Sequence, residues 1–208
     1  MKNFLAVDTG CGYMSVVVAK DGEMFSSYLP DCSMRHSVLL MQTIDETLKK
    51  AGLKLEECDA FGAVVGAGSF TGLRIGISTM KGFALATGKK TLPITSFDVV
   101  AYNAIDTQGK VLCLVDALHG YYYACGYERG EVVYPPAYIS EEEVLTLQNA
   151  GYRLRSCEQL PLNGVEKADP VLGLQNAALA LIEKGKFGEL SALYIRKSSA
   201  EINAEQKK

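Results

Sequence analysis

Several groups of residues in this 208-residue chain have the types that chemistry needs. The most informative is Gly66-Ala-Gly-Ser-Phe-Thr-Gly-Leu-Arg-Ile-Gly76, where glycines follow an apolar run and precede a helical one. Such a turn can leave backbone N–H groups free to hold an anion at a helix N-terminus, with Gly66, Gly68 and Ser69 as candidates. The spacing nevertheless misses the familiar templates. A dinucleotide fingerprint needs glycine where Thr71 stands, a P-loop needs a Gly-Lys-Ser/Thr, and a nucleophile elbow around Ser69 needs glycine at 67 and 71. A tight strand-to-helix turn, capped by Ser69 or Thr71, accounts for the same residues.

A second group is Asp8-Thr9-Gly10, at the end of the apolar run from Phe4 to Val7. It resembles the first phosphate loop of actin-like ATPases, and Asp116, closing the run from Lys110 to Val115, echoes it. An aspartate ending a strand is also a common turn former. The histidines are His36 and His119; the position four after His36 is Leu40, so no helix-borne metal pair forms. No spacing supports a Ser or Cys nucleophile beside either histidine. Cys11, Cys32, Cys58, Cys113, Cys125 and Cys157 contain no CxxC pair, which suits reduced, buried thiols in a cytoplasm.

The elements that must position these residues read as an α/β pattern. Phe4–Val7, Met14–Ala19 and Glu23–Tyr28 form an antiparallel meander, with the hairpin signal Asp21-Gly22 between the last two. A helix follows from Ser33, its N-cap, to Ala51, with Val38, Met41, Ile44 and Leu48 recurring at helical steps and Gly52 closing it. Then come a buried strand over 59–65, a helix over 71–87 closed by Gly88, a strand over 91–95, and a helix capped by Ser96 reaching about Ile105. A second round begins near Gln108: strands at 110–115, 121–127 and 131–134, a helix at 141–149, a strand at 152–156, an irregular stretch over 158–170 and a helix at 171–184. The order predicts two related lobes, 1–106 and 107–208, each with a mixed sheet.

In the helix after Gly66, residues Gly72, Gly76, Met80, Ala84 and Gly88 fall at four-residue steps and lay down a nearly side-chain-free stripe. Glycine costs about 1 kcal/mol relative to alanine inside a helix, so the stripe implies close backbone approach to something. That something is either the chain's own sheet or, in part, another subunit.

Composition narrows the function. A net charge of −3, with basic doublets at Lys49-Lys50, Lys89-Lys90 and Lys207-Lys208, argues against a nucleic-acid grip built by this chain alone. No run of 18 apolar residues occurs and the N-terminus lacks a signal-peptide core, so the expected location is cytoplasmic, with no membrane contact.

Taken together, Leu5-Ala-Val-Asp-Thr9, Arg35-His-Ser37, Leu39-Leu-Met, Ile44-Asp-Glu, the Gly66–Gly76 block, Lys81-Gly-Phe-Ala84 and Ile94-Thr-Ser-Phe97 resemble the TsaB (YeaZ) family of tRNA threonylcarbamoyladenosine biosynthesis proteins. The resemblance is dense over about residues 3–100; Asp116-Ala117, Gly120-Tyr121 and Tyr194-Ile-Arg196 extend it. Ala67, Val38, Leu118 and Ala192 depart from the family's usual residues at their positions. The resemblance implies a two-lobe actin-like ATPase (ASKHA, RNase H-like) fold whose active site has decayed, leaving Asp8, Thr9, Gly10, Gly66, Gly68, Ser69 and Asp116 as vestigial nucleotide loops with no metal. It implies a non-catalytic partner of a TsaD-type paralogue, which transfers the threonylcarbamoyl group to the tRNA adenosine next to the anticodon. A TsaE-type ATPase joins the complex, ATP or ADP belongs to the complex rather than to this chain, the chain pairs with itself as a homodimer, and tRNA is met indirectly. The expected partner face is His36, Leu39, Leu40 and Thr43 on the first helix with Arg74, Ile75, Ser78 and Thr79 on the second. The competing reading is a free-standing actin-like ATPase or kinase working through Asp8, Asp116 and the Gly66 loop.

Overall fold

The computed structural model describes residues 3–103 and 109–196. The chain opens with β1 (Phe4–Asp8), β2 (Met14–Lys20) and β3 (Glu23–Leu29), an antiparallel meander. Asp21 and Gly22 both take positive φ, 50° and 92°, the geometry whose twist matches a two-residue hairpin. Helix α1 (His36–Ala51) leads through a 3₁₀ turn at Leu55–Glu57 into β4 (Ala60–Gly66), then α2 (Phe70–Thr87), β5 (Lys90–Thr95) and α3 (Ser96–Ala101). β4 lies parallel to β1 and β5 parallel to β4, giving the order β3-β2-β1-β4-β5. Every residue of β1 and of β4 is buried, as near-continuous apolar runs at the centre of a sheet covered on both faces require.

The second half repeats this plan. Strands β6 (Lys110–Asp116), β7 (Tyr121–Glu128) and β8 (Glu131–Ser140) form a meander; α4 (Glu141–Asn149), β9 (Arg153–Ser156), β10 (Val165–Lys167) and α5 (Pro170–Glu183) follow. β9 runs parallel to β6 and β10 parallel to β9, so the order β10-β9-β6-β7-β8 is the first sheet's order with β6 in the place of β1. Two mixed sheets flanked by helices, each built on one topology, are the architecture that the actin-like resemblance implies.

Helices α1 and α2 touch each other and cover one face of the first sheet, α1 over β2 and β3, α2 over β1 and β4. On the other face lies α5, packed on β1, β2 and β5 and against α3, so a helix from the second half completes the first half's core. The α3/α5 crossing is close: a Cβ on Gly173 would stand 1.9 Å from the Val99 carbonyl oxygen. Asn103 laces the same junction, its Nδ2 donating to the carbonyls of Val99 and Asp169 at 2.9 Å each while its Oδ1 accepts from Asp169 N–H at 2.8 Å. The second sheet presents Val111, Cys113, Val115 and Cys125 to the main core, while Leu112, Leu114, Tyr122 and Ile139 form a smaller core with Val144 of α4. After α5 the chain runs without regular structure along β5 and α2. It is anchored by Gly188 N–H on Thr91 O (3.1 Å), a Lys81–Glu189 ion pair (3.0 Å), the buried Leu190, and Leu193 N–H on Val65 O (2.7 Å). All six cysteines are free and buried. Among the described residues no helix is long and apolar enough to cross a membrane.

The structure corrects the sequence reading in places. Helix α1 starts at His36, with Arg35 as an N-cap that makes no side-chain bond, so Ser33 does not cap it. Thr95, not Ser96, caps α3: its hydroxyl accepts from Asp98 N–H while Asp98 accepts from Thr95 N–H. That helix ends at Ala101, well before Ile105, which lies outside the described residues together with the expected lobe boundary at 106/107. β10 sits inside the stretch read as irregular, and β8 continues to Ser140 through Pro135 and Pro136, which an edge strand tolerates because one side of its backbone is unpaired.

The crowding at the α3/α5 crossing yields a paired expectation. Gly173→Ala pushes a methyl into a backbone carbonyl and should destabilise the protein by about 1–3 kcal/mol or more. Gly82→Ala, at a helical site with nothing within 4 Å of the added atom, should stabilise it by roughly 0.4–1 kcal/mol. Urea unfolding of the two variants against the parent measures both signs.

Candidate functional site

Between the ends of β1 and β6 lies a cavity of about 470 Å³, walled by Gly10, Gly68 and Ser69 on one side and Asp116 on the other. Asp8 itself lies beneath the wall and is fully buried. Its Oδ1 accepts from Gly10 N–H at 2.9 Å and its Oδ2 from the Tyr13 hydroxyl at 3.1 Å, so both carboxylate oxygens are engaged by the chain's own donors. Burial pushes its carboxyl above the ordinary 3.8, opposed in part by those two bonds and by His36. Asp116 is likewise turned onto its own loop, its Oδ1 accepting from Leu118 N–H at 2.8 Å, while its own N–H donates to Glu158 at 3.0 Å. Leu118 and His119 both hold positive φ, 66° and 57°, in this turn.

The glycine-rich block closes onto β1. Ser69 N–H donates to Gly10 O at 2.7 Å, and Ser69 Oγ caps α2 by accepting from Gly72 N–H. Thr9 Oγ1 donates to Gly72 O at 2.7 Å. A Cβ at Gly68 would lie 2.3 Å from Gly10 O, at Gly72 2.0 Å from Thr9 O, and at Gly76 2.5 Å from Thr9 Oγ1. The side-chain-free stripe of α2 is therefore occupied by the chain's own β1 end, and Gly66 is pressed against Leu193. The buried thiols at the cleft floor are raised as well, Cys11 well above its ordinary value and Cys157 to about 12, both chiefly by burial, which leaves them poor nucleophiles. Among the described residues no three His, Cys, Asp or Glu side chains gather as a metal would need.

With its glycines turned inward, α2 presents Arg74, Ser78 and Leu85 outward, with Ile75 and Thr79 half-buried. On α1 three residues expected on the partner face are instead internal. Leu40 and Thr43 pack on the sheet, Thr43 donating to Leu39 O, and His36 is buried with Nε2 3.0 Å from Tyr13 O. Leu39 is half-buried. The reason is helical phase: the inward stripe runs His36, Leu40, Thr43, Ile44, Thr47, Leu48 and Ala51, and its histidine and threonines read as polar in the sequence. Val38 and Met41, counted in the helix's apolar repeat, are 74% and 54% exposed; Met34 just ahead of the helix is 92% exposed and Leu85 on α2 is 87%. Arg74 is held at the edge of this surface, its Nε donating to the Tyr194 hydroxyl at 2.9 Å. Sequence reasoning also missed Tyr13 and Glu158, which sit in a glycine-rich connection and in an irregular stretch where no motif marks them.

Asp8 and Glu158 make stability pH-dependent with a definite sign. Both folded carboxyls sit above their ordinary values through burial, so the folded state binds more protons than the unfolded one, and stability falls as pH rises from about 4 upward. Asp8→Asn, which keeps an acceptor for Gly10 N–H, should flatten that decline; thermal unfolding followed from pH 4 to 7 measures it.

A family model described as TsaD: tRNA N6-adenosine threonylcarbamoyltransferase matches residues 29–204. The tRNA threonylcarbamoyladenosine biosynthesis protein TsaB of Escherichia coli is 30% identical over 129 residues, 61% of this chain and 55% of that protein. A tRNA N6-adenosine threonylcarbamoyltransferase of Staphylococcus epidermidis is 33% identical over 109 residues, 45% of this chain and 32% of that one. The chain thus spans about half the length of the first relative and about a third of the second. YeaZ from Pseudomonas aeruginosa shares the fold, with a TM-score of 0.78 and 24% identity over 93% of this chain and 100% of that one. The family model covers most of the chain and leads to one assignment: the chain belongs to the family described as TsaD: tRNA N6-adenosine threonylcarbamoyltransferase.

Proposed function

We propose that this chain is a non-catalytic partner subunit that binds a TsaD-type paralogue through the outward face of α1 and α2 and so enables threonylcarbamoyl transfer to tRNA. The observation that carries the reading is the exposure of large apolar side chains on two touching helices, Val38 and Met41 on α1, with Met34 just ahead of it, and Leu85 near the end of α2. Several large apolar side chains left exposed on neighbouring helices suit a surface that another protein covers. Methionines suit such a face because they repack against different partners, which fits both a paralogue and a second copy of this chain. The partner face is accordingly Val38, Met41, Arg74, Ile75, Ser78 and Leu85, with Leu39 and Thr79 at its base and His36, Leu40 and Thr43 removed from it.

The absence of catalysis by this chain alone is supported by the same geometry that positions α2. A metal–nucleotide site needs carboxylate oxygens and loop amides turned toward the ligand. Here both oxygens of Asp8 are bonded internally, Ser69 N–H is spent on Gly10 O, and Gly72 N–H on Ser69 Oγ. A TsaE-type ATPase, a homodimer and a cytoplasmic location complete the proposal.

Val38→Glu and Leu85→Glu should abolish co-elution with the TsaD-type paralogue in size-exclusion chromatography while shifting the thermal midpoint by no more than a few degrees. Leu40→Asp, in contrast, buries a charge and should prevent folding. If both surface variants bind normally, the partner face lies elsewhere. In a reconstituted transfer assay, omission of this chain should abolish threonylcarbamoylated tRNA although the chain by itself turns over no ATP. Measurable ATP turnover by the isolated chain would instead favour a free-standing ATPase.

A further inference from the structure

Beside the cleft, tyrosines and an arginine form a column of stacked planes that neither the partner face nor the collapsed loops employ. Tyr121 and Tyr123 project to the same side of β7, and Tyr138 sits opposite Tyr123 on β8. The rings of Tyr121 and Tyr138 lie 4.8 Å apart and 4° from parallel, and Tyr123 tilts against Tyr138 at 5.8 Å. The guanidinium of Arg196 stands 5.1 Å from the centre of the Tyr138 ring and donates to that hydroxyl at 3.1 Å. Tyr121 and Arg196 are both exposed. Tyr123 packs against the main core and anchors the column, while Tyr121 at its end is left exposed.

An exposed ring at the end of a column, with a guanidinium plane beside it, offers what an unstacked nucleobase docks on: an open π-face, a cation and phenolic hydroxyls. We propose that Tyr121, Tyr138 and Arg196 form a stacking platform for one or two unpaired bases of an RNA strand, so that this chain touches tRNA directly. The proposal rests on the tRNA-modification reading only for the choice of RNA. The surroundings set the mode of binding. Asp116 lies on the adjoining turn, and Glu141 of α4 bonds through its N–H to Gly120 O, so carboxylates stand close by. They repel phosphates, and among the described residues the cations of this surface are Arg196 and, across the Phe70–Tyr194 stack, Arg74. Stacking therefore carries the contact and a partner supplies most of the phosphate grip. With two phosphates neutralised, log affinity of single-stranded RNA falls against log salt with a slope of only about −1.4.

The test is photocrosslinking of an unmodified tRNA transcript containing 4-thiouridine, with this chain alone at high concentration and with its complex with the TsaD-type paralogue. This chain should carry crosslinked RNA. Tyr121→Leu should lower the yield by about fivefold or more, the scale of losing one base stack, and Tyr121→Phe, which keeps the ring, should restore it. A thermal midpoint of Tyr121→Leu within a few degrees of the parent separates lost stacking from lost structure. No crosslink to this chain in either arm, an equal yield from Tyr121→Leu, or a salt slope near −4 or steeper overturns the proposal. Failure of the two proteins to associate would sink the partner reading and leave the single-chain arm to decide this one.

Discussion

The structure depends on how closely the first turns of α2 approach the end of β1. Three glycines, 68, 72 and 76, place helix and loop backbone within touching distance of Thr9 and Gly10, where a single methyl would overlap a carbonyl oxygen. That approach is locked by hydrogen bonds in both directions, Thr9 Oγ1 to Gly72 O and Ser69 N–H to Gly10 O. Its cost is the backbone freedom that each glycine surrenders, and the burial of β1 and β4 on both faces offsets it. Because the glycine face is turned inward, the opposite face of α2 is fixed outward beside α1. The outward direction of Arg74, Ser78 and Leu85 and the tight turn from Gly66 into α2 are thus two results of one packing arrangement.

Much of this was legible in the residues. Asp21-Gly22 announced the hairpin, the apolar run at 60–65 the central strand, and the glycines at 52 and 88 the ends of the two long helices. The aspartate echo between 8 and 116 anticipated the repeated sheet order, since each residue ends the first strand of its sheet. The glycine stripe was visible too, but a sequence does not say which surface a stripe meets. What failed was helical phase on α1. Its buried side is lined by His36, Thr43 and Thr47, whose polarity is satisfied locally: the histidine meets a backbone oxygen, and the threonines bond back to carbonyls one turn earlier. A buried polar residue with a local partner is invisible to hydrophobic periodicity, so Val38 and Met41 took its place in the reading.

The cleft was read only in part, for a related reason. Its aspartates and glycines stand out as residue types at strand ends even though their spacing fits no familiar template, whereas Tyr13 and Glu158 gain their meaning from tertiary neighbours. Tyr13 is the donor that occupies Asp8, and Glu158 receives the amide of Asp116 from a strand 42 residues away.

The return of α5 and the following segment onto the first sheet has a consequence for how the chain is made. Residues 170–193 supply one cover of β1, β2 and β5 and the buried Leu190, so an emerging nascent chain completes β1 to β5 long before that cover exists. During synthesis at about 5–20 residues per second, the interval between β5 and α5 spans several seconds in which an apolar sheet face stands open. The first sheet is therefore late to mature despite being translated first. Aggregation-guarding factors at the ribosome would meet it in that window, before the second sheet has closed beneath it.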